Sequence, residues 1–274
     1  MKDIQNLPDG REIDIQRVGI KNLHLPMLIR EKAGGYQSVL SNLSLSVDLP
    51  RLFKGTHLSR FVEILESWSR KKISSREILL ILEETKTRLK ARRAQLSLRF
   101  KYFIEKKAPV SRRRSVLDYG CEFTGVLGPD EYTFILGVQV PITALCPCSK
   151  AISRHGAHNQ RGVVRVRIHY DGDIIWIEDL VRLIEEQASC QIYPLLKRSD
   201  EKYVTERAYE NPKFVEDILR DVILVLRALP GTTWFEAECE DFESIHNHSA
   251  FAVQREVLSG NPPAFPPGME IFPV

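Results

Sequence analysis

Hydrophobic and polar positions alternate along some stretches of the chain and recur every three or four residues along others, and the two periods divide it into strands and helices. Residues 37–48 alternate, with Val39, Leu43, Leu45 and Val47 set against Ser38, Ser44, Ser46 and Asp48, and stop at Pro50, which predicts a half-buried strand. Residues 57–70 place Leu58, Phe61, Val62, Leu65 and Trp68 on one helical face, and a Ser74–Glu77 capping signal opens a second helix running to about residue 92. Residues 96–104 and 115–127 alternate again as strands. The order then recurs. Strands are predicted at 132–141 and 163–170, a helix at 177–190, and a longer helix opened by Asn211-Pro212 and reaching about residue 229. Strands at 232–240 and 249–257 close this half.

Each half therefore reads strand, strand, helix, helix, strand, strand, with the halves at 1–129 and 130–258. Strands come in adjacent pairs and helices in adjacent pairs, which favours an α+β layout with antiparallel sheets and helices on one face over alternating βαβ units. Such a sheet has open edges that must be paired or covered, so a homo-oligomer is expected. Residues 259–274, with their NPPAFPPG run, predict an extended Pro-rich tail.

Composition narrows the function classes. With 274 residues, 43% hydrophobic and 27% charged, the chain can bury a full core in one or two domains. A net charge of +3 is too mild to require nucleic acid and suits an anionic small molecule. The basic run Lys106, Lys107, Arg112, Arg113 and Arg114 is short and lacks interleaved aromatics, so it reads as a solvated loop or a phosphate collar. Five cysteines without a disulfide pattern point to a reducing compartment. No apolar run approaches the roughly eighteen residues needed to span a bilayer, so a cytoplasmic protein with no membrane partner is expected.

Candidate chemistry concentrates in residues 145–162, LCPCSKAISRHGAHNQRG. Cys146 and Cys148 flank Pro147, which holds the thiol pair rigid, and His158 can reach the same ion only from a returning segment. Cys121, Cys190 and Cys239 are isolated, which argues against a four-cysteine structural zinc and for an open three-ligand site. A second patch, FESIHNHS at 242–249, holds Glu243, His246 and His248. In an extended chain the two imidazoles project to the same side, and an ordinary pKa of about 6.5 suits them to proton transfer. The helix after Asn211 offers carboxylates at Glu210, Glu216 and Asp217, among which the pattern does not choose. Gly55 to Arg60, GTHLSR, sets hydroxyl, imidazole and guanidinium groups at a helix start that favours an anion. Neither a P-loop nor a GxGxxG motif is present.

Four of these stretches, LCPCSKAISRHGAHNQRG, QASCQIYPLLKRSDEKYVTERAYENPKFVED, GTHLSRF and FESIHNHSAFA, resemble the signature segments of the type IB GTP cyclohydrolases I, a bacterial folate-pathway family. The resemblance implies the tunnelling fold, two tandem ββααββ modules per subunit and a homotetramer with active sites at interfaces. It implies conversion of GTP and water to 7,8-dihydroneopterin triphosphate and formate, the first step of tetrahydrofolate biosynthesis. It implies Cys146, His158 and Glu216 as ligands of a divalent metal (manganese, zinc or iron), with Cys148 beside the metal as a catalytic or alternative ligand. It further implies Glu243 as the anchor of the guanine edge and His246 and His248 as proton-transfer groups. Arg60, Lys150 and Arg161 are the expected partners of the triphosphate. A nitrile reductase on the same fold would use a cysteine nucleophile and NADPH in place of a metal triad, and a zinc deaminase is disfavoured because its paired motifs are absent.

Overall fold

The structure is a computed structural model that describes residues 5, 10–260 and 262, so the expected tail lies mostly outside the described residues. The order of elements is β1 (Ile15–Arg30), β2 (Tyr36–Leu49), α1 (Leu58–Ser69), β3 (Lys72–Ile73), α2 (Ser75–Leu89), β4 (Ala94–Lys107) and β5 (Arg114–Leu127). There follow β6 (Tyr132–Leu145), α3 (Pro147–Ile152), β7 (Asn159–Tyr170), α4 (Ile177–Glu185), β8 (Cys190–Gln191), α5 (Arg198–Glu210), α6 (Val215–Ala228), β9 (Thr232–Phe242) and β10 (Ser249–Val257). This is a mixed α+β chain with extensive antiparallel sheet. Its contacts define two compact units, residues 1–101 with 122–136 and residues 102–121 with 137–274. Strands β4, β5 and β6 contribute to both.

In the first unit the strand order is β3-β1-β2-β4-β5-β6, antiparallel at β1–β2 and β2–β4 and parallel at the short β1–β3 pairing. Alternation sets the register: Leu43 pairs with Leu98 and Leu45 with Leu96, all fully buried or nearly so. Helices α1 and α2 bury Phe61, Ile64 and Leu65, and Ile78, Ile81 and Leu82. A side chain at Gly125 on β5 would stand 2.5 Å from Ile78 and 2.8 Å from Leu82, so the missing Cβ lets α2 seat on the strand. The capping signal forms as predicted, with Ser74 N–H donating to the Glu77 carboxylate at 2.7 Å.

In the second unit the order is β10-β9-β7-β6-β5-β4, with β8 pairing β6. Val164, Val166 and Ile168 on β7 lie opposite Cys239, Ala237 and Phe235 on β9, and all six are fully buried. The alternate positions of the same strands are charged and mutually paired: Arg165 donates to Glu238 at 2.7 Å and to Glu240 at 2.8 Å, and Arg255 on β10 bonds Glu236. One face is thus apolar and the other neutralises its own charge, as the period of two requires.

Two expectations need correction. The helix expected at 177–190 ends at Glu185, because Cys190 and Gln191 pair with Thr143 and Ile142 of β6. Asn211-Pro212 closes a helix and does not open one: Asn211, held at φ −122° and ψ 59°, caps the C-terminus of α5, since a residue before proline is barred from the helical region. Helix α6 starts at Val215, capped by Phe214, whose N–H donates to Asp217 at 3.1 Å. Helix α5 itself escaped the reading because only Asp200 and Ala208 are buried along it, too few to print a period. Strand β1, the opening strand that the order in the first half calls for, prints no alternation of its own because most of its positions are exposed.

Asp200 ties α5 to the loop that joins β4 and β5. Its carboxylate accepts N–H groups from Lys197 at 2.9 Å and from Val110 and Ser111 at 2.8 Å each. Burial pushes this carboxyl up, but the bonds from Ser111, Lys197 and Val110 outweigh it and hold it well below the usual carboxylate range. A depressed folded-state value stabilises the fold above the unfolded value of about 3.9 and is lost as pH falls through the folded one. Asp200→Asn is therefore expected to lower the urea midpoint at pH 7 and to differ less from the parent chain at pH 3. An equal gap at both pH values would show that the ionised carboxylate contributes nothing there.

Candidate functional site

The thiol and imidazole signature is built at the end of β6. Cys146 leaves the strand extended, at φ −67° and ψ 118°, and caps the short α3 that Pro147 opens, its Sγ accepting the Ser149 N–H at 3.4 Å. The chain returns at the start of β7, where the Cys146 N–H donates to the His158 carbonyl at 3.2 Å and the His158 N–H donates to the Ser149 hydroxyl at 3.2 Å. A third segment is drawn to the same place, since the Lys213 N–H donates to the Leu145 carbonyl at 3.1 Å. That bond fixes the approach to α6, and hence to Glu216 in its first turn, against the residue preceding Cys146. Segments far apart in sequence, carrying Cys146, His158 and Glu216, are thus stitched together through main-chain bonds.

His158 is mostly buried. Its Nδ1 lies 2.8 Å from Gln160 Oε1 and 3.8 Å from Glu243 Oε2. Beyond it stands Asp241 on β9, which is buried, takes a hydrogen bond from Gln160 and has an Oδ1 with no partner. Burial pushes the Asp241 carboxyl up to about 7, and the neighbouring Glu243 and Glu216 carboxylates push the same way, opposed by the Gln160 bond. The Glu243 and Glu216 carboxylates are thus near enough to act on buried Asp241, whose Oδ1 is a buried oxygen without a hydrogen-bond partner. Thiolate, imidazole and carboxylate, the groups that the stitched segments carry at Cys146, His158 and Glu216, are chemical types that a divalent ion takes as ligands. Among the described residues, no three His, Cys, Asp or Glu side chains are already grouped to hold a metal ion.

The other candidate residues fall in several places. Cys148 is exposed on α3. Glu243 is largely buried at the start of the loop between β9 and β10, and His246 and His248 follow in that loop, exposed. Their rings stack at 5.0 Å with 11° between planes. The expectation of a shared side was met by a turn and not by an extended chain. Lys150 donates to the Tyr209 carbonyl at 2.5 Å and lies over the Tyr209 ring at 4.3 Å. Arg161 is exposed on β7. Arg60 belongs to the first unit, where it donates to the Arg88 carbonyl at 3.1 Å and lines a cavity with Asp48, Thr56, His57 and Lys90. Sequence reasoning missed Gln160 and Asp241, which lie two residues beyond His158 and two before Glu243; an amide and a carboxylate beside candidate ligands are the signal that would have found them.

The model of a family described as "Type I GTP cyclohydrolase folE2" matches residues 1–252. A protein named GTP cyclohydrolase FolE2 from Geobacter metallireducens is 53% identical over 253 residues, covering 92% of this chain and 96% of its own. One of the same name from Geobacter sulfurreducens is 52% identical over 92% of this chain and 97% of its own. That from Syntrophus aciditrophicus is 49% identical over 93% and 100%. Among solved structures, a hyper-thermostable AgUricase mutant superposes with a TM-score of 0.54 at 8% identity, over 92% of this chain and 94% of that one. Uricase from Arthrobacter globiformis gives 0.51 at 8% identity, over 92% and 96%. At such identities the likeness is one of fold alone, and it agrees with the tunnelling fold.

Proposed function

We propose a division of catalytic labour for this chain, which belongs to the type I GTP cyclohydrolase folE2 family. It is a GTP cyclohydrolase I, hydrolysing the imidazole ring of the guanine of GTP at C8 to give 7,8-dihydroneopterin triphosphate and formate, the first step of tetrahydrofolate biosynthesis. The observation that carries this reading is identity of 53% across 92% of the chain, together with a family match over residues 1–252 that spans all the signature segments.

Cys146, His158 and Glu216 are the ligands of a divalent ion. What supports this is the pair of main-chain bonds, Cys146 to His158 and Lys213 to Leu145, that draws their segments together, and the nearness of the Glu216 and Glu243 carboxylates to buried Asp241. One thiolate, one imidazole and one carboxylate form a set of mixed hardness that suits manganese, zinc or iron. When bound, such an ion supplies Lewis acidity and brings the pKa of a water towards neutrality.

The remaining work falls to the chain's own groups. Glu243, mostly shielded from solvent, accepts the N1–H and the 2-amino group of guanine, a pair of donors that adenine does not offer. N7 must gain a proton when water adds at C8, and N9 must gain one when the C8–N9 bond breaks. His246 and His248, exposed and stacked in one loop, carry those protons, and Cys148 stands by on α3. For the triphosphate, the second unit offers Lys150 and Arg161 and the first offers Arg60. Tandem modules at 1–129 and 130–258, a homotetramer and a cytoplasmic location complete the proposal; no helix among the described residues is long and apolar enough to cross a membrane.

Incubation of the metal-loaded chain with GTP is expected to yield formate and a product that becomes a fluorescent pterin on oxidation. Absence of both would end the reading. Glu243→Gln, which loses one charge-assisted hydrogen bond, is expected to lower kcat/KM for GTP by about 10- to 100-fold. Unchanged kcat/KM in that variant would remove Glu243 from the guanine site and leave the reaction itself in place.

A further inference from the structure

We propose that Gln160 and Asp241 are positioning residues that set which nitrogen of His158 carries the proton. This rests on the reading of His158 as a metal ligand. Gln160 is buried between the imidazole and Asp241, with Oε1 at 2.8 Å from His158 Nδ1 and a hydrogen bond to the Asp241 carboxylate on its other side.

A glutamine amide can be turned either way, and the two orientations have opposite consequences for the ring. With the NH2 towards His158, Nδ1 would have to accept, and the proton would sit on Nε2 and block it as a ligand. At pH 8, above the value of about 7 to which burial pushes it, the Asp241 carboxylate is ionised and only accepts, so it claims the NH2 and turns Oε1 towards the ring. Nδ1 must then donate, and Nε2 is left with its lone pair for a cation. Glu243 Oε2 does not compete, because at 3.8 Å it is beyond hydrogen-bond reach of Nδ1.

The backbone is shaped to admit this relay. Gly162 on β7 is the cross-strand partner of Asp241, and a Cβ there would stand 2.4 Å from Asp241 Oδ1 and 2.7 Å from the Glu240 carbonyl. Only glycine leaves the carboxylate its place.

The test uses the full-length metal-free chain at pH 8, with imidazole-15N histidine, and reads the His158 tautomer by NMR and zinc affinity by competition with a chromogenic chelator. The parent chain is expected to hold the His158 proton on Nδ1. Gln160→Leu should release it to Nε2 and weaken zinc binding by about 10- to 100-fold. Gln160→Glu, which keeps an acceptor in place, should retain both the tautomer and the affinity. Asp241→Asn, of nearly the same shape, should act like Gln160→Leu and serves if that variant does not fold. A Gln160→Leu or Asp241→Asn chain with the proton still on Nδ1 and zinc affinity within twofold of the parent would overturn the relay. If Cys146→Ala and His158→Ala bind zinc as the parent does, the ligand assignment fails, while the metal-free tautomer still decides the relay by itself.

Discussion

Cys146→Ala should lower GTP turnover by about three to four orders of magnitude and abolish tight divalent-metal binding, because the Lewis acidity a lost ion withdraws is worth several kcal/mol in the transition state. The local fold gives a reason to expect a clean result. Cys146 is only partly buried, and its structural contact is one weak bond from the Ser149 N–H at 3.4 Å, so alanine should leave the end of β6 and the start of α3 in place. Metal content by atomic emission and turnover by pterin fluorescence would be measured on the same preparation, with circular dichroism to establish that the fold persists. Chelation of the parent chain should reproduce the variant's defect, and added metal should reverse it only in the parent. A variant that kept both metal and turnover would remove Cys146 from the ligand set, even though the family and the reaction would stand.

Glu185→Ala should be the most destabilising single change away from the site, by about 3–5 kcal/mol. Both oxygens of Glu185 lie 2.7 Å from Lys106 Nζ, and Tyr119 OH donates to Oε1 at 2.7 Å. The lysine and glutamate side chains are 7% and 6% exposed, so water does not screen the pair. Lys106 also donates to Gln191 at 3.1 Å, which links α4, β8 and the outer part of β4 through one ammonium. Removing the carboxylate strands a buried cation, whereas Lys106→Met with Glu185→Leu removes both charges together and should recover most of the loss. Urea unfolding of the two single variants and the double variant measures this directly. A loss below about 1 kcal/mol for Glu185→Ala would mean that the pair behaves as an exposed one.

The same lysine shows where sequence reading loses its grip. By sequence Lys106 belongs with Lys107 and Arg112 to Arg114 to a basic run that reads as a solvated loop or a phosphate collar, yet it points inward from β4 and is neutralised by a residue 79 positions away. Nothing local distinguishes it from Lys107, which is exposed. Helix α5 was silent for the opposite reason: it is anchored at its ends, by Asp200 below and by Asn211 donating to the Ala188 carbonyl at 3.0 Å, and carries no apolar stripe. Most of the long strands and the helices α1, α2, α4 and α6 were legible because each buries one face, and burial prints its period on the residues. For the site, clustered chemistry named the cysteines, the histidines and Glu243, and the family resemblance chose Glu216 among the carboxylates beside it; Gln160 and Asp241 were passed over, since only strand register shows which groups they face.

By itself the sequence determined the α+β class, the periods of most elements, the signature stretches and the chemical types available for holding a metal, binding guanine and moving protons. These are properties of side chains and of short-range spacing, which the order of residues states outright. Only the tertiary structure decided that the Lys213 N–H meets the Leu145 carbonyl, that Asn211 ends a helix, that Lys106 is inside, and that Asp241 stands behind Gln160 and His158. Those facts depend on strand register and on the close approach permitted by a glycine at position 162, and cross-strand pairing joins residues whose separation along the chain carries no trace of their meeting.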